Sequence, residues 1–444
     1  MPDFTPHTDE EIELMLAACG LSSTEELFTA IPEALRLAGG LDIADGLSEP
    51  DVVFEAQRLA AANSGADLIC FAGGGVYDHE VPAAVRRLMF RSEFVTAYTP
   101  YQPEVAQGVL QMLFEYQTLV ARLAGLEVAN ASLYDGASAL VEAANLAVAA
   151  TGRNTVWVSD GIHPTWREVL RTYAAGTGHD LKAIPLRDGV TDWPAASDRE
   201  PPAAVLLAQP NHLGCLEDVK AAAEWSHGAG GLCIVAADPV SAGLLRSPGE
   251  LGADVVVGEG QPFGTPMSFG GPFVGLFASS LAQVRRLPGR LVGETVDTEG
   301  RRAYVTTLRA REQDIRREKA SSNVCTNQTL IAVAFAIQLS WLGTAGLREL
   351  ALRCARGTRY CREALLAIEG VQPLVSAPTL REFSLALPVE PATVVERLAE
   401  EGFLAGVPLP EAAHHGPGLA VAVTERRTRA EIDAFTAAFE KAVR

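Results

Sequence analysis

Two hydrophobic rhythms run along the chain. In its middle, short continuous apolar runs at 155–159, 203–208, 231–237 and 253–258 alternate with stretches of helical period at 165–175 and 217–228. Runs that are apolar on both faces and joined by helices predict a mostly parallel sheet covered on both sides, an α/β arrangement. Turn residues follow each run: Gly161 and Pro164, Pro210-Asn211, Asp238-Pro239, and the glycine-rich loop 258–272. Ligands of such sheets bind beyond the carboxyl ends of the strands, which makes Asn211, Asp238 and the 258–272 loop candidates.

The flanking patterns differ. A helix is predicted over 9–38, with Thr8 as its cap and Asp9, Glu10 and Glu11 on the positive end of its dipole. A Gly/Pro/Asp-rich break over 39–50 and a helix over 51–63 follow. Phe71-Ala72-Gly73-Gly74-Gly75 reads as a tight turn and lacks the Gly-x-Gly-x-x-Gly spacing of a nucleotide loop. Helices are predicted at 81–90, 105–126 and 137–150, and Pro100 and Pro103 hold 96–104 extended. A long helix over 321–345, opened by Ser321-Ser322-Asn323, leads into a helix at 346–369. Strands at 382–387 and 419–423 and helices near 393–401 and 428–443 complete a small α+β unit. The expected division is a helical segment 1–65, a large α/β domain 66–325, and the long helix with the small α+β domain over 326–444.

Composition narrows the chemistry. The 444 residues carry 36 basic and 55 acidic side chains, a formal charge of −19, so a phosphate backbone or an anionic membrane is not an expected partner. The 7 cysteines are scattered with no Cys-x-x-Cys, which fits free thiols in a reducing compartment. No signal peptide and no long uncharged apolar span is read, and a cytoplasmic location is expected. No metal site is expected: the histidines form no ligand spacing, and His414-His415 reads as a solvated loop pair. Cys354 and Cys361, seven apart on a helix, read as packing residues.

Asp238 ends an apolar strand, where a carboxylate is costly to bury unless paired. It reads either as the cap of an Asp-Pro turn or as the partner of a protonated pyridine nitrogen, as in pyridoxal-phosphate enzymes. Such enzymes hold the cofactor on a lysine a strand or so further on. The chain has four lysines, Lys182, Lys220, Lys319 and Lys441, and none lies in the 258–272 loop. The pattern suits that cofactor, and the nucleophile is missing.

Four segments carry a resemblance. Residues 96–104, 130–138, 258–272 with Leu287-Pro288-Gly289-Arg290, and Arg-Glu-Lys-Ala-Ser-Ser-Asn-Val-Cys-Thr-Asn-Gln at 317–328 resemble the P-protein family of the glycine cleavage system, the decarboxylating glycine dehydrogenases. The likeness extends over essentially the whole chain, and the length matches the first of the two chains of the family's split form. It implies pyridoxal-phosphate fold type I. The family's lysine-bearing half has a His-Lys-Thr-Phe-x-x-Pro-His-Gly-Gly-Gly-Gly-Pro segment. Laid on 260–272 it keeps Phe263, Pro266, Gly270, Gly271 and Pro272, and puts Gln261 at the lysine. An amide forms no imine, so this chain is expected to be silent alone.

The resemblance further implies a lysine-bearing second subunit, obligate and in an α2β2 heterotetramer, which holds the pyridoxal 5'-phosphate covalently. Glycine is decarboxylated there and its aminomethyl group passes to the lipoamide of H-protein. Asp238 becomes a relic of the pyridine partner. Tyr98, Thr99, Tyr101 and Gln102 are expected to complete the partner's active site, with packing at a domain junction as the other reading. Ser322, Asn323, Thr326 and Asn327, expected to open a helix, face the partner's cofactor phosphate or merely cap that helix. Asp135-Gly136-Ala137-Ser138 opens a helix where fold type I enzymes hold phosphate. Two rival functions stand beside this one: a purely structural partner of the second subunit, and a self-sufficient aminotransferase or decarboxylase using Lys319.

Overall fold

A computed structural model describes residues 6–37, 41–195, 200–268, 270–320, 322–324, 326–409 and 417–444. Ser321, Cys325, Phe269, His414 and His415 lie outside these. Contacts divide the chain into Met1–Ser64 and Gly65–Arg444.

The larger unit is built on seven strands: β1 Val128–Ala129, β2 Thr155–Ser159, β3 Asp180–Ile184, β4 Ala204–Gln209, β5 Leu232–Ala237, β6 Val255–Glu259 and β7 Gly275–Ser279. Their order is β1-β7-β6-β5-β4-β2-β3. The pairs among β2 to β6 are parallel, and β7 runs antiparallel to β6 and β1. Side chains alternate between two cores, as the two-residue period of a strand requires. Val205, Leu207, Cys233 and Val235 face one, and Ala204, Leu206, Ile234 and Ala236 the other.

Helix Gln107–Ala124 covers the first face. Its buried residues Val109, Leu110, Leu113, Tyr116, Val120 and Ala124 form one stripe, and Gly125 stops it in the left-handed region. Helix Gly136–Thr151 covers the second face, with ten buried residues. A four-stranded antiparallel sheet that includes Glu382–Ala386 and Gly418–Ala422 forms the C-terminal layer, packed on helices Pro391–Glu400 and Arg429–Ala442. Helix Thr329–Leu366 runs through both layers: Ala332 to Cys354 belong to the sheet core, Cys361 and Leu365 to the C-terminal one.

Several expectations are corrected. The helix read over 9–38 ends at Ala18, because Gly20 turns left-handed, and only short 3-10 turns follow. The helices read at 321–345 and 346–369 are one element interrupted at Gly343, and it starts at Thr329. Residues 327 and 328 are held elsewhere: Asn327 Nδ2 donates to Ala131 O at 2.9 Å and the Gln328 N–H to Ser132 Oγ at 3.2 Å. A long uncharged span also exists, from Ala320 to Leu347. Thr329–Leu366 is long and apolar enough to cross a membrane, and its apolarity is used in the core. The hairpin Leu291–Val296/Arg302–Thr307 and strand β7 were not foreseen.

Candidate active site

The carboxyl ends of β4, β5 and β6 bring Asn211, Asp238 and Glu259 to one cavity, of about 90 Å³. Its lining also holds Tyr77, His163, Trp166, His212 and Arg381, and no lysine. Among the four lysines, Lys182 pairs with Asp180, Lys220 with Glu224, Lys319 is exposed in a 3-10 turn and Lys441 sits on the last helix.

Asp238 is both cap and ion-pair partner. Oδ1 accepts the N–H of Val240 at 3.1 Å, and Oδ2 lies 2.9 Å from Arg381 Nη2. Arg381, buried at the head of strand Glu382–Ala386, stacks its guanidinium 3.5 Å from the Tyr77 ring centroid. Arg381 Nη1 also lies 2.6 Å from His79 Nε2, and His79 Nδ1 lies 2.6 Å from Glu425 Oε2. A guanidinium only donates, so Nε2 accepts and the proton sits on Nδ1, donated to Glu425. Burial alone raises the Glu425 carboxyl; the hydrogen bonds from His79 and from the Glu80 N–H act against it and lower the group. His79, Cys354 and Glu425 are the one metal-like cluster among the described residues, but both histidine nitrogens are engaged.

Gln261 is equally committed. Oε1 accepts the N–H of Tyr77 at 3.1 Å, and Nε2 donates to the carbonyls of Tyr77 at 3.1 Å and Thr265 at 2.9 Å. Tyr77 donates its hydroxyl to Glu382 Oε2 at 3.0 Å, while Glu382 Oε1 accepts the Gly74 N–H at 2.7 Å. Burial, then the neighbouring Glu382 charge, push the phenol far above its ordinary range.

The third commitment is at the helix N-terminus. Asp135 Oδ1 caps it by accepting from Ser138 N at 2.7 Å. Glu259 Oε2 accepts the Gly136 N–H, and Oε1 those of Gln261 and Val274, each at 3.0 Å. Loss of water raises this carboxyl to about 7 against those three bonds. Trp166 closes over the same spot: a Cβ on Gly136 would lie 2.2 Å from its ring, so only glycine fits.

These residues do not fit pyridoxal phosphate held in this chain. Asp238 is already paired with Arg381, the Gly136 N–H at the helix start is already taken by Glu259, and Gln261, an amide that forms no imine, is bonded to backbone. His212, on the same lining, is enclosed as well: Nδ1 meets Gly161 O at 3.1 Å, no side chain or backbone group pairs with Nε2, and burial lowers the imidazole to about 4.

A second cluster gathers other candidates around Arg290, itself buried. Nη2 donates to Tyr101 Oη at 3.4 Å, and Nη1 to Thr326 Oγ1 at 3.2 Å and Asn327 Oδ1 at 3.5 Å. The guanidinium groups of Arg290 and Arg309 lie 5.4 and 5.3 Å from the Tyr101 ring. Tyr101 nevertheless remains half exposed. Tyr98 and Gln102 are exposed and Thr99 partly so; Asn323 is exposed, and Ser322 accepts the Val324 N–H at 3.0 Å. So Tyr101, Thr326 and Asn327 come together, while Tyr98, Thr99, Gln102, Ser322 and Asn323 are not tied to Arg290. None of Ser322, Asn323, Thr326 and Asn327 opens a helix, since Thr329 does.

Tyr77, Glu259 and Arg381 were missed as site residues. Arg381-Glu382 at the head of the apolar run Phe383-Ser384-Leu385-Ala386 was the available signal for the last, being a charged pair where a buried strand begins.

Known proteins share this architecture. The family model "Glycine cleavage system P-protein" matches residues 2–439. A probable glycine dehydrogenase (decarboxylating) subunit 1 of Geotalea uraniireducens is 48% identical over 444 residues, covering 99% of this chain and 100% of the relative. One from Desulforamulus reducens is 46% identical over 441 residues, covering 98% of each. A crystal structure of glycine decarboxylase (P-protein) of the glycine cleavage system, in inhibitor-bound form, superposes with a TM-score of 0.93 at 48% identity, covering 99% of this chain and 100% of that one. A Burkholderia pseudomallei sphingosine-1-phosphate lyase, 16% identical with a TM-score of 0.66 over 93% of this chain and 94% of its own, shares the fold alone.

Proposed function

The chain belongs to the glycine cleavage system P-protein family and has pyridoxal-phosphate fold type I, and on that premise we propose that it is the half without the cofactor-holding lysine in a two-chain glycine decarboxylase. The relatives' designation as subunit 1 implies a second subunit. In this reading the second subunit holds pyridoxal phosphate covalently, the two form an α2β2 assembly in the cytoplasm, and the aminomethyl group of glycine is handed to lipoylated H-protein. The cofactor supplies the electron sink that lets glycine lose carbon dioxide.

What carries the proposal is the contrast between the two clusters. The cavity under Asp238 is lined by Arg381 and Glu259, both already bonded within the chain, and by no lysine, whereas Tyr101 stands half exposed on Arg290. A phenol and an amide at 101 and 102 can orient a bound reactant by hydrogen bonds without titrating near neutrality. Pro100 and Pro103 restrict the backbone between them, so little freedom is lost on engagement. Arg290 and Arg309 both stand against the Tyr101 ring and hold it in place, Arg309 being itself paired with Asp314 at 3.3 Å. The Lys319 alternative loses support because Lys319 does not line the cavity.

The test uses the assembled enzyme. Tyr101→Phe and Gln102→Ala are expected to lower glycine turnover, by up to about 100-fold for a misplaced contact, with assembly and melting temperature unchanged. The two chains are expected to share an interface above roughly 2,000 Å². Wild-type turnover in both variants would make this chain a structural partner only.

A further inference from the structure

Residues 1–64 form a unit without a core. None of the described residues there is buried, and fourteen large apolar side chains between Leu14 and Leu59 are 43–76% exposed. Yet the local structure is well specified. Thr8 and Glu11 make a capping box on helix Asp9–Ala18, and Ser48 caps helix Glu49–Ala61 through the Asp51 N–H. In the latter, Val52, Val53, Ala56, Leu59 and Ala60 follow the i, i+1, i+4, i+7, i+8 spacing of one apolar face. Helices of 10 and 13 residues are marginal in water by themselves, so the face needs a surface to rest on. Fourteen such side chains offer on the order of 1,000 Å² of apolar surface, comparable with the ~800 Å² each partner gives to a stable interface.

Charge selects the partner. This segment carries two basic and thirteen acidic residues, net −11, against −8 for the remaining 380 residues. An anionic membrane repels it, and helices that lie on membranes are basic on their polar face. A second copy of this acidic chain repels it too.

We propose that residues 9–61 are a docking arm for the second subunit, which receives them in a groove with an apolar floor and a basic rim. This rests on the two-chain reading above and says which part of this chain makes the contact. Complementary charge across the rim speeds association and makes it sensitive to salt.

The closing experiment titrates the lysine-bearing subunit with three forms of this chain, full-length, Val52→Ser with Leu59→Ser, and residues 65–444, at low and high sodium chloride. The substituted residues are exposed, so the rest of the chain keeps its core. Both altered forms are expected to bind at least tenfold more weakly, salt to weaken the full-length form more than residues 65–444, and amide exchange in 49–61 of the full-length form to slow in the complex. Equal binding by all three forms overturns the arm while leaving the two-chain reading intact. Failure of the full-length chain to bind overturns both. Protection of 49–61 by anionic vesicles, or by self-association of this chain alone, also overturns the assignment.

Discussion

Arg381 and Asp238 are each costly to bury alone, and they are affordable only together. Arg381→Met leaves the Asp238 carboxylate without its cation and is expected to cost about 3–5 kcal/mol. Adding Asp238→Asn is expected to return most of that, as urea midpoints of the single and double variants will show. His212 gives a pH signature. Held at about 4 in the fold against 6.5 when free, it binds a proton in the unfolded chain first. Stability from this group is therefore full above 6.5 and lost as pH falls towards 4, by up to about 3 kcal/mol. Glu259, raised to about 7, works in the opposite sense, the fold losing stability as pH rises from 4.5 to 7. The two overlap, so the comparison is between wild type and His212→Gln: the variant's stability should fall less between pH 6.5 and 4. Parallel curves would remove His212 from the account.

The elements differ in how much their own residues specify them. Strands β4, β5 and β6 are continuous apolar runs and are legible in sequence, as is Asp238 at the end of one. That the glycine-rich loop 258–272 carries no lysine is legible too. Partners that arrive from distant parts of the chain are not: nothing around Asp238 points to Arg381, and nothing around Gly136 points to Glu259. Hairpin Leu291–Val296/Arg302–Thr307 was missed because polar and charged residues interrupt its apolar positions. The long helix hid its own interruption. Gly343 has φ +59° and ψ −175°, a conformation nearly restricted to glycine. Gly343→Ala is expected to destabilise the chain by about 1–3 kcal/mol, measured by denaturant unfolding.

At the scale of the whole molecule, the polar line Asp238–Arg381–His79–Glu425 joins the ends of the large sheet to the C-terminal layer. A cavity already spoken for by its own side chains has a stoichiometric consequence. An assembly holding equal numbers of the two subunits is expected to take up one pyridoxal phosphate for every two chains. Purified by itself, this chain should take up none and release no carbon dioxide from glycine. Hydroxylamine, which traps the cofactor's carbonyl, then titrates the assembly to an endpoint of one half per chain, read by cofactor absorbance. An endpoint of one per chain would mean that Arg381 and Glu259 yield their places. The cavity under Asp238 would then be a reserve of binding capacity, widened by the ligand itself.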